Sequence, residues 1–238
     1  MGMKSKEKMI VKGKRLDGRN PDEIREIEMK VGVIPNASGS AQVSFGRTTA
    51  VAAVYGPRIL HPRRLQQPDT AIIRCRYNMA PFSVDERIRP GPSRREKEIS
   101  KVTRLALEPA LFLKKYPETV VDIYIEIIQA DGSTRVTGIN AASLALADAG
   151  VPMRDLVVGL AGGKLDDTII IDLCGKEDNY SVADIPIAFL PRKNEITLLQ
   201  MDGQLNADEV KTIVKNVLNA GKKVYEKQKE ALKKKYHK

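Results

Sequence analysis

The chain has 238 residues, 42% of them hydrophobic, and a formal net charge of +10. This apolar content can bury one large core or two small ones. The apolar runs are short and interrupted by charge, which excludes a bilayer-spanning helix. We therefore expect no association with a membrane. The positive charge favours a polyanionic partner, since Lys and Arg neutralise phosphates and release counterions. A solvated, lysine-rich C-terminal helix is the alternative explanation for part of that excess.

Cysteine and histidine usage indicates the compartment and excludes one class of metal site. Cys75 and Cys174 lie in apolar-rich runs, where free thiols in a reducing cytoplasm are expected rather than a disulfide. The two histidines, His61 and His237, form no His/Cys cluster, so a zinc site is not expected. No long apolar stretch follows the lysines of residues 1–14, which argues against a secretory signal. We therefore expect a cytoplasmic protein.

The first half of the chain is predicted to hold several strands followed by one long helix. Residues 1–25 are polar and charged, and are expected to form a loosely held basic arm. Short β-branched runs bounded by turn residues then predict strands at Ile27–Ile34, Ser40–Phe45, Thr49–Tyr55 and Ala71–Tyr77. A basic loop, Pro57–Asp69, precedes the last of these. A helix is expected from Arg94 to Lys115, capped by Ser93 with Glu96 at capping-box spacing and kinked at Pro109.

The second half repeats the order of strand and helix. A strand at Thr119–Gln129 leads into an alanine-rich helix over Val136–Ala149, which we expect to be buried against a sheet. Further strands are predicted at Leu156–Gly162, Thr168–Leu173, Ala183–Leu190 and Glu195–Met201, with Asp202-Gly203 as a turn before the last helix, Ala207–Lys235. This order predicts an α+β fold: one domain over residues 26–238, made of two similar halves (about 26–118 and 119–238) of mixed β-sheet with packed helices.

Arginines are concentrated in one part of the chain. Arginine has a planar fork of donors suited to phosphate, so we favour a phosphate-binding role for this cluster. Its members are Arg58, Arg63, Arg64, Arg74, Arg76, Arg87, Arg89, Arg94 and Arg95. Arg94 and Arg95 stand at a predicted helix start, where free N–H groups already attract anions. The alternative, that these two only pair with Glu96 or Glu98, is equally compatible with the spacing.

Two further segments carry polar residues that a core does not need. In Gln129–Arg135, a strand, a glycine and a helix start are arranged as in an anion site, with Ser133, Thr134 and Arg135 as ligands; an ordinary N-cap is the alternative. The segment is not a Walker P-loop, because it lacks Gly-Lys-Ser/Thr. In the second segment, Asp178 ends a polar turn and Asp184 enters an apolar strand, where an unpaired carboxylate is costly. The two acids could hold Mg²⁺, or Asp184 could act as a general acid, or it could cap a turn or meet a structural arginine.

Taken together, these motifs resemble the catalytic RNase PH-type subunits of archaeal exosomes, in the RNase PH and polynucleotide phosphorylase superfamily. The likeness covers nearly the whole chain. Its matching segments are residues 15–19 (RLDGR), 55–58 (YGPR), 90–96 (PGPSRRE), 129–135 (QADGSTR), 142–150 (ASLALADAG) and 152–156 (PMRDL), with the pair Asp178 and Asp184. The resemblance implies an RNase PH-like fold, a duplication of the ribosomal-protein-like βαβα unit.

The resemblance also implies an activity and roles for single residues. The activity is 3′→5′ degradation of single-stranded RNA by phosphorolysis, with inorganic phosphate as co-substrate, nucleoside 5′-diphosphates as products and RNA tailing as the reverse reaction. Ser133, Thr134 and Arg135 match the phosphate site, and Arg94 and Arg95 match the residues that hold the RNA backbone. Asp184 matches the essential acid, and Asp178 a second acidic position that is a candidate Mg²⁺ ligand with it. The loop with His61, Arg63 and Arg64 matches one that grips incoming RNA.

The family further implies a hexameric ring, a trimer of heterodimers with a non-catalytic paralogue, capped by RNA-binding subunits. One position departs from the polynucleotide phosphorylases: Pro186 stands where they have a lysine two residues after the acid, so no lysine-assisted role is expected there. Two alternatives remain at this stage. One is a stand-alone RNase PH that trims transfer-RNA 3′ ends, and the other is a non-catalytic RNA-binding ring subunit.

Overall fold

The computed structural model describes residues 9–11, 13–91 and 93–237. It contains two five-stranded sheets with one alanine-rich helix between them, so the expected α+β class is confirmed. Among the residues described, no helix combines the length and apolar composition needed to cross a bilayer.

The first sheet has the strand order β3-β4-β5-β7-β6. After a short hairpin, β1 (Ile10–Val11) with β2 (Lys14–Arg15), come β3 (Ile27–Val31), β4 (Gly39–Phe45), β5 (Thr48–Ile59) and β6 (Ile72–Met79). The helix α1 (Arg94–Leu107) then crosses over to β7 (Thr119–Gln129), which pairs parallel with β6 and antiparallel with β5. A helical crossover is what a parallel pair requires.

The second sheet has the order β11-β10-β8-β9, with β12 also paired to β10. The helix α2 (Thr134–Asp148) precedes it, followed by β8 (Val158–Leu165), β9 (Thr168–Ile171), the short helix α3 (Gly175–Tyr180) and β10 (Ala183–Leu190). Then come β11 (Glu195–Leu199), β12 (Asp202–Gly203) and α4 (Ala207–Tyr236). The helix α4 packs on β8 and also on β3, so it joins the two sheets.

The helix α2 lies at the centre of the molecule. It contacts β4, β5 and β7 of the first sheet and β8 and β10 of the second, and nearly all its residues are buried. Its small alanines allow both sheets to approach closely, and a helix apolar on all sides is stable only when it is surrounded. Most of α2 lies inside the main core, whereas Val136 in its first turn packs in a second cluster with Ala161 and Leu165.

Four local expectations differ from the structure. The predicted helix Arg94–Lys115 ends at Leu107, and Pro109 lies in a separate 3-10 turn because proline cannot donate the next helical hydrogen bond. Asp178 lies in the helix α3 rather than in a turn, and Asp202-Gly203 forms the strand β12. The described part of the N-terminal arm is not loosely held, since Arg15 is buried through an ion pair with Glu177, 162 residues away.

Candidate active site

The loop between β7 and α2 ends in a helix start that is open to an anion. Ser133, at the N-cap position, has a left-handed backbone (φ 55°), and its side chain makes no capping hydrogen bond. Its hydroxyl instead donates to the Leu173 carbonyl at 2.9 Å. The first turn contains no acidic residue. The free N–H groups there, beside Arg135, therefore favour an anion such as phosphate.

This loop is fixed from two sides. The backbone N–H of Asp131 donates to Thr48 Oγ1 at 2.9 Å, and that hydroxyl donates to the Gly132 carbonyl at 2.8 Å. On the other side, Asp131 Oδ1 accepts from the Gly175 N–H at 3.1 Å. Gly132 has φ +74°, and a Cβ there would lie 2.6 Å from the Cys174 backbone. Only glycine allows this close approach of the loop to residues 173–175.

The predicted carboxylates, Asp178 and Asp184, lie beside this loop, and Asp202 is a third carboxylate near them. Asp184 is the second residue of β10, and it faces Asp202 directly across the antiparallel pair with β12. The pKa of Asp184 is raised to about 7, mainly by burial and then by the Asp178 and Asp202 carboxylates, while the charges of Arg135 and Arg95 oppose the rise. Burial also raises the pKa of Asp178, against the same two arginines. Asp184 can therefore carry a proton near neutral pH.

The common electrostatic partners place four of the expected residues in one site. Arg95 and Arg135 act on both Asp178 and Asp184, although the four come from α1, α2, α3 and β10. Ser133 and Thr134 directly precede Arg135 in the chain, so they share its place at the start of α2. A cationic pair thus faces an acid that is able to donate a proton.

The start of α1 presents its arginines to solvent. Ser93 accepts from the Glu96 N–H, and the Glu96 side chain accepts from the Ser93 N–H, so the predicted capping box is present. Glu96 also accepts from the Met79 N–H at 3.1 Å, which ties the helix start to β6. Glu96 is thereby engaged with backbone donors, and Arg94 and Arg95 remain exposed.

Glu98 forms an ion pair with Arg135, not with Arg94 or Arg95. Its carboxylate lies 3.6 Å from an Arg135 guanidinium nitrogen and accepts from Gln200 Nε2 at 3.4 Å. It is half exposed, so this contact is a weak one. The contact between Arg135 and Glu98 is therefore one that an incoming phosphate can replace.

The other predicted RNA contacts are not part of this site. His61, Arg63 and Arg64 are exposed in the loop after β5, two of them within a 3-10 turn. That loop adjoins the Thr119 end of β7, since the Leu60 N–H donates to the Glu118 carbonyl. The anion loop follows the other end of β7, at Gln129, and eleven extended residues span about 33 Å. The structure therefore separates a basic loop from the carboxylates.

Two arginines of the sequence cluster have a structural partner. Arg58 and Arg74 both bond to Asp122, a buried acid on β7, the latter through Nε at 2.7 Å. These two arginines therefore have a structural partner, although about half of each side chain remains exposed. The separation of 48 and 64 residues from Asp122 explains why no local pattern revealed these pairs.

The carboxylate oxygens of the predicted acids are of the ligand type that a hard cation prefers. Burial, and then the charges of Asp178 and Asp202, raise the pKa of Asp184, and a divalent ion would offset that repulsion. A different group, Asp17, Cys174 and Glu177, has ligand atoms close enough together to hold an ion. There, however, Arg15 and Arg19 already supply the positive charge to Glu177. Among the described residues, no third His, Cys, Asp or Glu ligand atom comes close enough to Asp178 and Asp184 to complete such a group with them.

Sequence reasoning missed Asp202 and Glu98 as members of the site. For Asp202 the sequence indicates only a turn role, because Asp-Gly is a common turn dipeptide. Its place opposite Asp184 depends on β12 returning to β10, a pairing that a two-residue strand does not signal. For Glu98, the available signal was its position one helical turn beyond Arg94 and Arg95, on a helix whose start was already suspected of binding anions.

Comparison with known proteins agrees with this geometry. Residues 23–152 match the model of the 3′ exoribonuclease family, domain 1, and residues 155–219 match domain 2 of the same family. Relatives described as exosome complex component Rrp41 include one from Thermococcus gammatolerans, 61% identical over 94% of this chain and 90% of its own length. Another, from Methanopyrus kandleri, is 54% identical over 94% of both chains.

Solved structures share the fold. Rice Rrp46 superposes with a TM-score of 0.84 at 25% identity, over 92% of this chain and 100% of its own. A chain of the Archaeoglobus fulgidus exosome with RNA bound to the active site superposes with a TM-score of 0.78 at 24% identity, over 90% and 92% of the two chains. The expected RNase PH-like fold is confirmed by these matches.

Proposed function

The chain belongs to the 3′ exoribonuclease family of the RNase PH type, and from that premise we propose that it degrades single-stranded RNA by phosphorolysis as the catalytic subunit of an exosome. The observation that carries the proposal is the meeting of Arg95, Arg135 and an uncapped helix start with Asp184. One part of the site attracts two anions, and the other can protonate a leaving group.

Inorganic phosphate is the proposed co-substrate, held by Ser133, Thr134 and Arg135. The N–H groups at the start of α2 and the Arg135 guanidinium would bind its oxygens. A phosphate oxygen attacks the phosphorus of the last phosphodiester, and the bond from that phosphorus to the 3′-oxygen of the penultimate nucleotide breaks. The product is a nucleoside 5′-diphosphate. Two anions repel each other, so the arginines' first task is to neutralise this repulsion.

Asp184 is the proposed general acid. The departing 3′-oxygen takes the proton from Asp184, leaving a hydroxyl on the shortened RNA and a carboxylate on the protein. An acid with a pKa of about 7 suits this step, because it is still protonated near neutral pH and transfers its proton readily. The reverse reaction, which adds nucleotides from diphosphates, uses the same carboxylate as a base.

Arg94 and Arg95 are proposed to hold the RNA backbone beside the scissile bond, and His61, Arg63 and Arg64 to bind it farther from the 3′ end. All five are exposed. Backbone contacts carry no sequence information, so we expect little base preference. Mg²⁺, where bound, would be held by Asp178 and Asp184 with Asp202 beside them, and would supply positive charge to the reacting phosphates.

The proposed setting is a cytoplasmic hexameric ring, a trimer of heterodimers with a non-catalytic paralogue under RNA-binding cap subunits. Support comes from the relatives, which are described as exosome components, and from the likeness to Rrp46. In such a ring the basic loop, which adjoins the end of β7 opposite the anion loop, would lie along the path of the incoming strand.

The decisive experiment measures products from 3′-labelled RNA, with and without inorganic phosphate. We expect nucleoside diphosphates from the wild type and loss of at least a hundredfold in Asp184→Asn, while RNA binding is retained. Nucleoside monophosphates would contradict phosphorolysis. Equal rates for wild type and variant would refute the assignment of Asp184 alone.

Partner dependence separates the alternatives. The assay is run with the chain alone and with a candidate paralogue. Activity only in the mixture supports the exosome subunit, and full activity alone on transfer-RNA 3′ ends supports a stand-alone RNase PH. RNA binding without diphosphate release, even in the mixture, would leave the non-catalytic ring subunit.

A further inference from the structure

A buried ion pair ties the N-terminal arm to the helix that carries Asp178. Arg15 donates from Nε to Glu177 at 2.7 Å and from its terminal nitrogens to Glu177 and to the Ile171 and Asp172 carbonyls. Both charged side chains are 0% exposed. Burial opposes the ionised form of Glu177, yet the bonds from Arg15 and the Cys174 N–H hold its pKa below the usual range. Glu177 precedes Asp178 in α3, and its carboxylate accepts from the N–H of Cys174, the N-cap residue of that helix. The position of Glu177 is therefore coupled to the start of α3.

A second buried pair connects the same segment to the anion loop. Arg25 donates to both Asp172 oxygens, at 2.9 and 2.7 Å, and through another nitrogen to the Asp131 carbonyl at 2.6 Å. Asp131 in turn binds the Gly175 N–H, and Ser133 binds the Leu173 carbonyl. Residues 172–175 are therefore hydrogen-bonded both to the anion loop, residues 131–133, and to the N-terminal arm.

The two pairs do not touch substrate in the proposed reaction. Their carboxylates are bound by arginines of the arm, and Glu177 also accepts from the Cys174 N–H. A buried ion pair is poor evidence for stability alone, because desolvation of two charges offsets most of their attraction. What such forked pairs do supply is a fixed geometry, since two parallel hydrogen bonds define both distance and angle.

We propose that Arg15, Glu177, Arg25 and Asp172 form a brace that positions the phosphate-binding loop against the helix carrying Asp178. The brace residues are positioning residues rather than catalytic ones. A displacement of about 1 Å in such a site can cost on the order of a hundredfold in rate. The inference rests on the proposed function for its effect on turnover, and on the geometry alone for its effect on phosphate affinity.

The test compares two neutralised variants with a matched control. Glu177→Gln retains an oxygen that can accept the Cys174 N–H but loses the charged fork, and Arg15→Met/Glu177→Gln removes both charges. The control, Lys235→Met, breaks the pair with Asp148, another buried acid, at the far end of α2. That end lies about 21 Å from the start of the helix. Each variant is assayed in the complex that gives wild-type activity.

Three quantities are measured: phosphate affinity by calorimetry, kcat and KM for phosphate in RNA degradation, and RNA affinity by filter binding. We expect the brace variants to lose at least tenfold in phosphate affinity and in kcat/KM, with RNA affinity within twofold of wild type. Lys235→Met should lower Tm comparably while leaving all three quantities near wild type.

The outcomes are separable. If the brace variants, or Glu177→Gln alone where the double variant does not fold, match Lys235→Met in phosphate affinity and kcat/KM, the brace is refuted. If the wild type releases no diphosphate but the brace variants still lose phosphate affinity, the proposed function fails and the brace stands.

Discussion

Asp184 is the residue whose protonation state governs the proposed chemistry. It sits at the entry of an otherwise apolar strand, opposite Asp202 and near Asp178. Burial and these two carboxylates favour its neutral form, and Arg135 and Arg95 only partly offset them. One position thus combines a proton donor with the charges that stabilise the ionised form once the proton has left.

This pKa predicts opposite pH dependence for the two directions of the reaction. Phosphorolysis needs the protonated acid, so its kcat/KM should fall about tenfold per unit above pH 7. The tailing reaction needs the carboxylate and should fall below pH 7. Initial rates of both directions between pH 5.5 and 8.5 provide the measurement.

Asp202→Asn is the companion variant for the pH profile. Removal of a like charge facing Asp184 lowers the pKa of that carboxyl. The decline of kcat/KM for phosphorolysis should therefore begin at a lower pH. A profile that keeps its position in Asp202→Asn, or that has the same direction for both reactions, would contradict the assignment of the acid.

The raised pKa also predicts a cost in stability. For an acid whose pKa is higher in the folded state, stability present at low pH is lost as pH rises from about 4 through about 7. Asp184→Asn, which stays neutral, should therefore raise Tm by several degrees at pH 8 and by less at pH 5. Each kcal/mol corresponds to about 2–4 °C in a chain of this size. Differential scanning calorimetry at the two pH values tests this, with exposed Asp167→Asn as a control that should leave Tm nearly unchanged.

At the scale of secondary-structure elements, the site is built on the start of α2. That helix is enclosed by both sheets, so its first turn cannot shift without disturbing the core. Its N-cap serine points away to Leu173, and this leaves the N–H groups free for a ligand. The element contributes a fixed direction for the phosphate as well as its binding groups.

Gly132→Ala should disable this element. The added Cβ would meet the backbone of residues 173–175 at 2.6–2.8 Å, and the residue would keep a left-handed φ. We expect phosphate KM to rise at least tenfold in steady-state assays. Gly150→Ala is the control, because it also has a left-handed φ (+71°) but nothing within 4 Å of the new Cβ. It should lose about 1–2 kcal/mol of stability and little phosphate affinity; a similar loss of affinity in both variants would contradict the role of the close approach.

At the scale of the whole molecule, β7 separates two basic regions. The carboxylate site follows its Gln129 end, and the loop with Arg63 and Arg64 adjoins its Thr119 end. In the proposed reaction the first region acts on the last phosphodiester, and the second contacts nucleotides farther upstream. Substrate length should therefore separate their contributions.

Arg63→Ala/Arg64→Ala should weaken binding of long RNA but not cleavage of short RNA. An oligonucleotide too short to span about 33 Å should be degraded at the wild-type rate. For a longer strand, loss of two phosphate contacts should reduce the slope of log affinity against log salt by about 1.4. Filter binding at several salt concentrations measures the slope, and an equal defect on both lengths would refute the separation.

Much of the fold could be predicted because its signals are local. Alternating apolar residues over Thr119–Gln129, the capping box at Ser93 and Glu96, and the alanine-rich run of α2 each depend on neighbours a few positions apart. These patterns predicted the α+β class and most of the longer strands and helices, but not the hairpin β1–β2 or the short helix α3. The ends of elements were less accurate where proline or a two-residue strand intervened, as at Pro109 and Asp202.

The sequence by itself determined which residue types were available: an open helix start with Ser133 and Arg135, arginines at another helix start, and an acid in an apolar strand. Only the tertiary structure decided which of them meet. Arg58 and Arg74 form ion pairs with Asp122, and Arg15 forms one with Glu177. Asp184 lies opposite Asp202 in a strand pair, and these separations range from 18 to 162 residues. The physical reason is that local patterns follow from backbone periodicity, whereas burial, charge pairing and the raised pKa of Asp184 arise only when distant segments share one desolvated volume.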